Sequence, residues 1–217
     1  MSKKRRQKFC YLCGQSNPDT KEHIPPRGIF PKKPKGQLIT VPAHKDCNNR
    51  FSRDDELFRN LIIAASCRNR QARKAWDTQV VPSFKKNPGA KQELRKRLRP
   101  LWLKEKITNA YVRVYGLSVE VALFERQVDR WTRGLFYHRF KEPFPPNHKI
   151  KIIKWKPPEI SIPPFNKLFA EEGFIPKWVH VEPRIFSYFY GVAKEDKYQG
   201  IAVYVFFDTE VFVGLTS

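Results

Sequence analysis

Acidic side chains are scarce in this 217-residue sequence. Asp and Glu total 21 against 42 Lys and Arg, leaving a formal charge of +21. Glycine is also sparse, 10 residues against 18 prolines, which excludes long flexible linkers and favours stiff connections. Four cysteines are too few for a secreted disulfide scaffold of this length. No long apolar run is present, so no membrane span is expected, and no amphipathic anchor is visible. The basic start "MSKKRRQKF" is not followed by the apolar stretch of a signal peptide, and the cytoplasm is the expected compartment. No internal repeat is evident.

What is present argues for a folded chain with a polyanionic partner. Hydrophobic residues make up 41% and aromatics 14%, enough to bury a core and to exclude wholesale disorder. The charge is uneven. Residues 1–106 hold 27 basic and 9 acidic residues, net +18, whereas residues 107–217 hold 15 and 12, net +3. A field concentrated in one half implies nucleic acid of some kind as partner, rather than a membrane.

The pattern gives an α+β fold in three parts: a basic arm at 1–8, a zinc-binding region with a helical extension at 9–106, and an α+β region at 107–217. "QLITVPA" (37–43) reads as a strand. Ser52, followed by acids, reads as the cap of a helix whose apolar face is Leu57, Leu61, Ala64 and Ala65. A helix is expected over "QARKAWDTQV", a loop from Pro82 to Gly89, and a basic helix ended by Pro100. "ITNAYVRVYG" favours a strand. A long helix over 117–140, capped by Ser118, carries the stripe Val121, Phe124, Val128, Trp131 and Leu135, with its arginines snorkelling from a core face. The strand "KIKIIKW", a short helix near 165–172 and three strand-like runs complete a mostly antiparallel sheet.

Residues 9–51 have too little apolar content to fold unaided. Cys10-x-x-Cys13 and His44-x-x-Cys47 supply four ligands of the type and spacing that close a structural zinc site, which would staple this region. Cys67 lies on an apolar helix face and reads as a small core residue. His138 and His180 read as packed or surface histidines, and Asp54, Asp55 and Glu56 as first-turn helix acids.

Between the two knuckles lies "KEHIPP", and directly after the second lies "CNN". In this order "CYLCG", "KEHIPP" and "HKDCNNRFS" resemble the HNH endonuclease family over about residues 9–56. The resemblance implies a ββα-metal finger braced by the zinc knuckles, with His23 as general base and Glu22 and Asn48 as ligands of a catalytic ion. It also implies hydrolysis of phosphodiester bonds in DNA and a role in defence against foreign DNA. Two positions depart from the family: Glu22 is one methylene longer than the usual Asp, and Ile39 falls where an Asn normally orients the histidine.

The residue types suit the chemistry in their own right. A histidine near neutral pKa can deprotonate water. Oxygen ligands such as Glu22 and Asn48 suit Mg²⁺ or Mn²⁺ rather than zinc. Arg27, Arg50 and Arg53 are placed to grip flanking phosphates. The competing readings are a non-catalytic zinc-finger nucleic-acid-binding protein and a basic component of a ribonucleoprotein.

Overall fold

The structure, a computed structural model, describes residues 7–154 and 177–217. The fold is mixed: helices and antiparallel sheet, with the Cys/His cluster close to the N-terminus. Strands β1 (Thr20–Ile24) and β2 (Ile39–Ala43) form an antiparallel pair, and α1 (Lys45–Asn49) follows at once. Then come α2 (Ser52–Ala65), α3 (Arg70–Ala75), a π-helical turn at 76–80, α4 (Val81–Lys86) and α5 (Pro88–Lys96). Strands β3 (Leu98–Lys104) and β4 (Tyr111–Leu117) pair only with each other among the described residues. The long helix α6 (Val121–Phe140) leads into a five-stranded antiparallel sheet of β5 (Ile150–Lys154), β6 (Val179–Glu182), β7 (Phe186–Val192), β8 (Gly200–Phe206) and β9 (Glu210–Thr216), in the order β5-β9-β8-β7-β6.

Alternation along the sheet builds two apolar layers. Ala202, Tyr204 and Phe206 join the main core, while Val203 and Val205 fall in a second cluster with Phe189, Val211 and Val213. Thr132 of α6 and Tyr204 of β8, both buried, hydrogen-bond through their hydroxyls at 2.9 Å. The core is aromatic at its centre. Phe58 of α2 packs edge-on against Trp131 (4.9 Å), Phe206 (5.5 Å) and Phe124 (5.6 Å). Each such pair adds about 0.5–1.5 kcal/mol beyond the area it buries. This cluster draws on residues from both sides of position 106, which itself lies at the tip of the β3–β4 hairpin.

Several local expectations change. The buried face of α2 is Phe58, Leu61, Ile62 and Ile63 rather than Leu57 and the alanines, and Ala65 is exposed. Phe51, not Ser52, holds the N-cap position. Residues 82–86 are helical, not loop: Pro82 sits in the first turn of α4 and Pro88 opens α5, where a missing N–H costs nothing. Asn69 and Asn87 cap α3 and α5 with their side-chain oxygens. Pro100 lies within β3, tolerated because that strand borders no larger sheet. Helix α6 starts at Val121 after Glu120, three residues beyond Ser118, and Val121 is exposed. The helix expected near 165–172 lies outside the described residues. No helix among the described residues is long and apolar enough to cross a membrane.

Candidate functional site

The first knuckle is a tight turn. The Gly14 N–H donates to the Cys10 carbonyl at 2.9 Å and the Cys10 N–H to the Gln15 carbonyl at 2.8 Å. Gly14 adopts φ +72°, a conformation that costs other residues strain. The second knuckle is where β2 ends and α1 begins, with His44 at the helix N-cap and Cys47 one turn in. The Tyr11 N–H donates to the Pro42 carbonyl at 3.0 Å and joins the two.

As a result the ligand atoms of Cys10, Cys13, His44 and Cys47 all lie within 4.8 Å of one another. Tetrahedral zinc with sulfur bonds of ~2.3 Å needs ligand atoms roughly 3.8 Å apart, so the cluster fits a metal ion such as zinc. The imidazole is oriented for the task. Its Nε2 lies 3.0 Å from the Ser16 carbonyl, which fixes the proton there and leaves Nδ1 facing Cys13 Sγ at 3.3 Å. The His44 N–H points at Cys10 Sγ (3.5 Å) and Arg50 Nη2 at Cys47 Sγ (3.4 Å). Cys67 takes no part: its thiol donates to the Ile63 carbonyl at 3.2 Å.

Beside this cluster a cleft of about 330 Å³ opens between β1, the turn after it, and α1–α2. Glu22, His23, Arg27 and Asn48 all line it. His23 and Glu22 are neighbours on β1, so they leave the strand on opposite faces. Glu22 and Ile24 turn inward, and His23 is half-buried. Burial, with the nearby Arg27 charge, holds the His23 pKa below its usual value, so the ring is neutral at pH 7. Thr40, not Ile39, stands opposite His23 on β2, and Ile39 is a core residue.

Glu22 is 4% exposed, and its Oε1 lies 3.2 Å from Nη1 of Arg130. Burial pushes the carboxyl up to about 7, against the pull of Arg130. Arg130 is itself 1% exposed, so it does not snorkel. It also pairs with Asp55, donates to Gln127 Oε1 at 2.8 Å and lies 4.6 Å over the Phe51 ring. The approach of α6 to β1 is made possible by Gly134: a Cβ there would stand 2.6 Å from the Ile24 side chain. Arg130, one turn earlier on the same helix face, therefore meets Glu22.

Besides the Arg130 ion pair, the buried Tyr11 hydroxyl acts on Glu22 as a hydrogen-bond donor. The cation that faces this buried carboxylate is the Arg130 guanidinium. Asn48 lines the same cleft.

The arginines separate. Arg27 lines the cleft while donating to the Phe30 and Lys32 carbonyls at 3.2 and 2.5 Å. Arg50 is exposed on the zinc side, and Arg53 lines a neighbouring depression with Glu56 and Asn87. Arg59, which the sequence did not single out, also lines the cleft and is held by Asn60 and Ser83 at 2.9 and 3.1 Å. Asp55, read as a first-turn acid, is a partner of Arg130 as well, and Asp54 pairs with Arg126 at 2.7 Å. No local signal marks Arg59 or Arg130, since each is one arginine among many on an amphipathic helix. His180 bonds Ser187 at 2.8 Å on the sheet, away from both sites. Comparison of the chain with protein-family models, with curated proteins and with solved structures finds no match.

Proposed function

We propose that the chain is an HNH-type endonuclease that hydrolyses phosphodiester bonds in DNA with a divalent ion. In this reading β1, β2 and α1 are the ββα-metal finger, and the Cys/His cluster is its zinc brace. The observation that carries it is the convergence of Glu22, His23 and Asn48 on one cleft beside that cluster. A protein that only binds nucleic acid has no use for a neutral, half-buried histidine beside a buried carboxyl in a basic cleft.

Glu22 and Asn48 would hold Mg²⁺ or Mn²⁺, which would neutralise charge on the scissile phosphate. His23 accepts a proton from water as the water oxygen bonds to phosphorus and the P–O bond to the leaving sugar oxygen breaks. Arg27 and Arg59 add positive potential to the cleft and hold the phosphate in place. The net +18 of residues 1–106 draws the polyanion in. Defence against foreign DNA is the role the family resemblance suggests.

The Glu22–Arg130 pair favours a second reading, a non-catalytic zinc-finger protein, because an arginine already neutralises part of the carboxylate charge. Plasmid cleavage with Mg²⁺ or Mn²⁺ decides between them. The nuclease reading expects nicking or linearisation by the parent and a large loss in His23→Ala. Equal rates for the two proteins would leave the binding protein as the better reading.

A further inference from the structure

Strands β3 and β4 form a two-stranded arm whose side chains are exposed to an unusual degree. All seven residues of β3 are exposed. Trp102 is 65% exposed, Tyr111 66% and Tyr115 60%, with Leu101 and Leu103 close to half. An isolated hairpin is marginal in water and its bare strand edges invite partners, so exposing three large rings here calls for a ligand.

The register shows what kind. Directly opposed residues of an antiparallel pair share a face. One face carries Lys104 opposite Tyr111, then Trp102 opposite Arg113, then Pro100 opposite Tyr115. Rings and cations thus alternate both along and across the arm, and the Arg113 guanidinium lies 5.4 Å over the Tyr115 ring. The other face carries Arg99 among aliphatic residues, with Leu101 folded across Gly116 so closely that its Cδ1 lies 2.7 Å from where a Cβ would stand. Tyr111, Trp102 and Tyr115 are successive diagonal neighbours, roughly 7–8 Å apart. Each exposed ring thus offers a flat face on one side of the arm. A base inside a duplex has no free face to offer, whereas every unpaired base does.

We propose that the β3–β4 hairpin is a binding arm for single-stranded DNA, taking unpaired bases on Tyr111, Trp102 and Tyr115 while Lys104 and Arg113 meet the phosphates. This rests on the nucleic-acid part of the proposed function and narrows its substrate to DNA with a single-stranded segment. Charge selects this occupant over a second copy of the chain. Residues 98–117 hold four cations and one acid, and a second copy would bring another +21 to the same face.

The test uses the full chain in a His23→Ala background, so that binding is read without cleavage. A fluorescent oligothymidylate strand and a mixed-sequence duplex of equal length are titrated at fixed salt. Trp102→Ala is expected to weaken strand binding roughly 5- to 100-fold, the loss of one stacked base, while duplex binding stays within about twofold. Trp102→Phe should recover most of the strand affinity, which a general folding defect would not permit. Strand affinity unchanged in Trp102→Ala, or lost in the same proportion as duplex affinity, overturns the proposal. A dimer of the parent that becomes monomeric in Trp102→Ala, with strand affinity intact, overturns it in favour of a second copy. Because cleavage is not read, the endonuclease reading can fail while strand binding holds, and the reverse.

Discussion

Arg130 of α6 and Glu22 of β1 face each other in the interior with charged atoms 3.2 Å apart and exposures of 1% and 4%. The pair links the sheet-forming half of the chain to the strand that carries the candidate base. A guanidinium this deeply buried is tolerated only while acids and acceptors surround it, and Glu22, Asp55 and Gln127 do so. Truncating it strands two acids instead. Arg130→Met is therefore expected to cost about 3–5 kcal/mol, read from urea unfolding, and adding Glu22→Gln should recover part of that loss. A change below about 1 kcal/mol in the single variant would show that the pair contributes little.

The Cys/His cluster makes a separate prediction. One zinc per chain should copurify, and Cys13→Ser or a strong chelator should remove it. Binding energy in such a site is folding energy, so the β1–β2 pair should lose protection in hydrogen exchange, while the five-stranded sheet keeps most of its own. Cys67→Ser should leave the metal content unchanged, since that thiol, in the turn after α2, donates to the Ile63 carbonyl. Retention of full zinc by Cys13→Ser would rule out the ligand set.

If His23 is the general base, His23→Ala should slow the chemical step by roughly 10²–10⁴-fold with DNA affinity retained. Glu22→Ala and Asn48→Ala should act through metal occupancy, so excess Mn²⁺ should restore part of their cleavage and none of His23→Ala. Single-turnover cleavage across a Mn²⁺ titration separates the two behaviours. Rescue of His23→Ala by Mn²⁺ would remove the histidine from its role.

The two acid–base groups of the cleft shift in opposite senses, and this fixes a pH signature. The folded pKa of His23 is lowered, so it stays a competent base until the pH drops below the usual imidazole range. That of Glu22 is raised to about 7 by burial, so its carboxylate is lost as the pH falls through neutrality. Protons and the divalent ion then compete for Glu22. The acidic limb of the cleavage profile should move to lower pH as Mn²⁺ is raised, until the His23 limb is reached. A limb that ignores metal concentration would show that Glu22 does not hold the ion.

Elements with a strong repeating pattern were legible from the chain. The apolar runs at 200–206 and 210–216, buried on both faces, and the 3.6-residue stripe through Phe124, Val128, Trp131 and Leu135 each fold as their pattern dictates. Residues 82–89 were misread because prolines were taken as breakers, although Pro82 and Pro88 stand at helix starts. The face of α2 was misplaced because its period alone admits more than one stripe, and it is the Trp131 and Phe206 rings that select Phe58. The open β3–β4 arm was invisible in advance, since a run such as "LRPLWLK" reads the same in a core or in solvent.

By itself the sequence marked Cys10, Cys13, His44 and Cys47 by ligand type and spacing, and these are the residues of the cluster that could hold a metal ion. It also determined the concentration of positive charge before residue 107, which no fold can move along the chain. Only the tertiary structure decided the state of Glu22. Its burial, its raised pKa and its arginine partner depend on α6 lying against β1 at Gly134, a contact between distant parts of the chain. Local pattern sets which way a side chain can point. What it then meets, and whether water is still there, is set by packing.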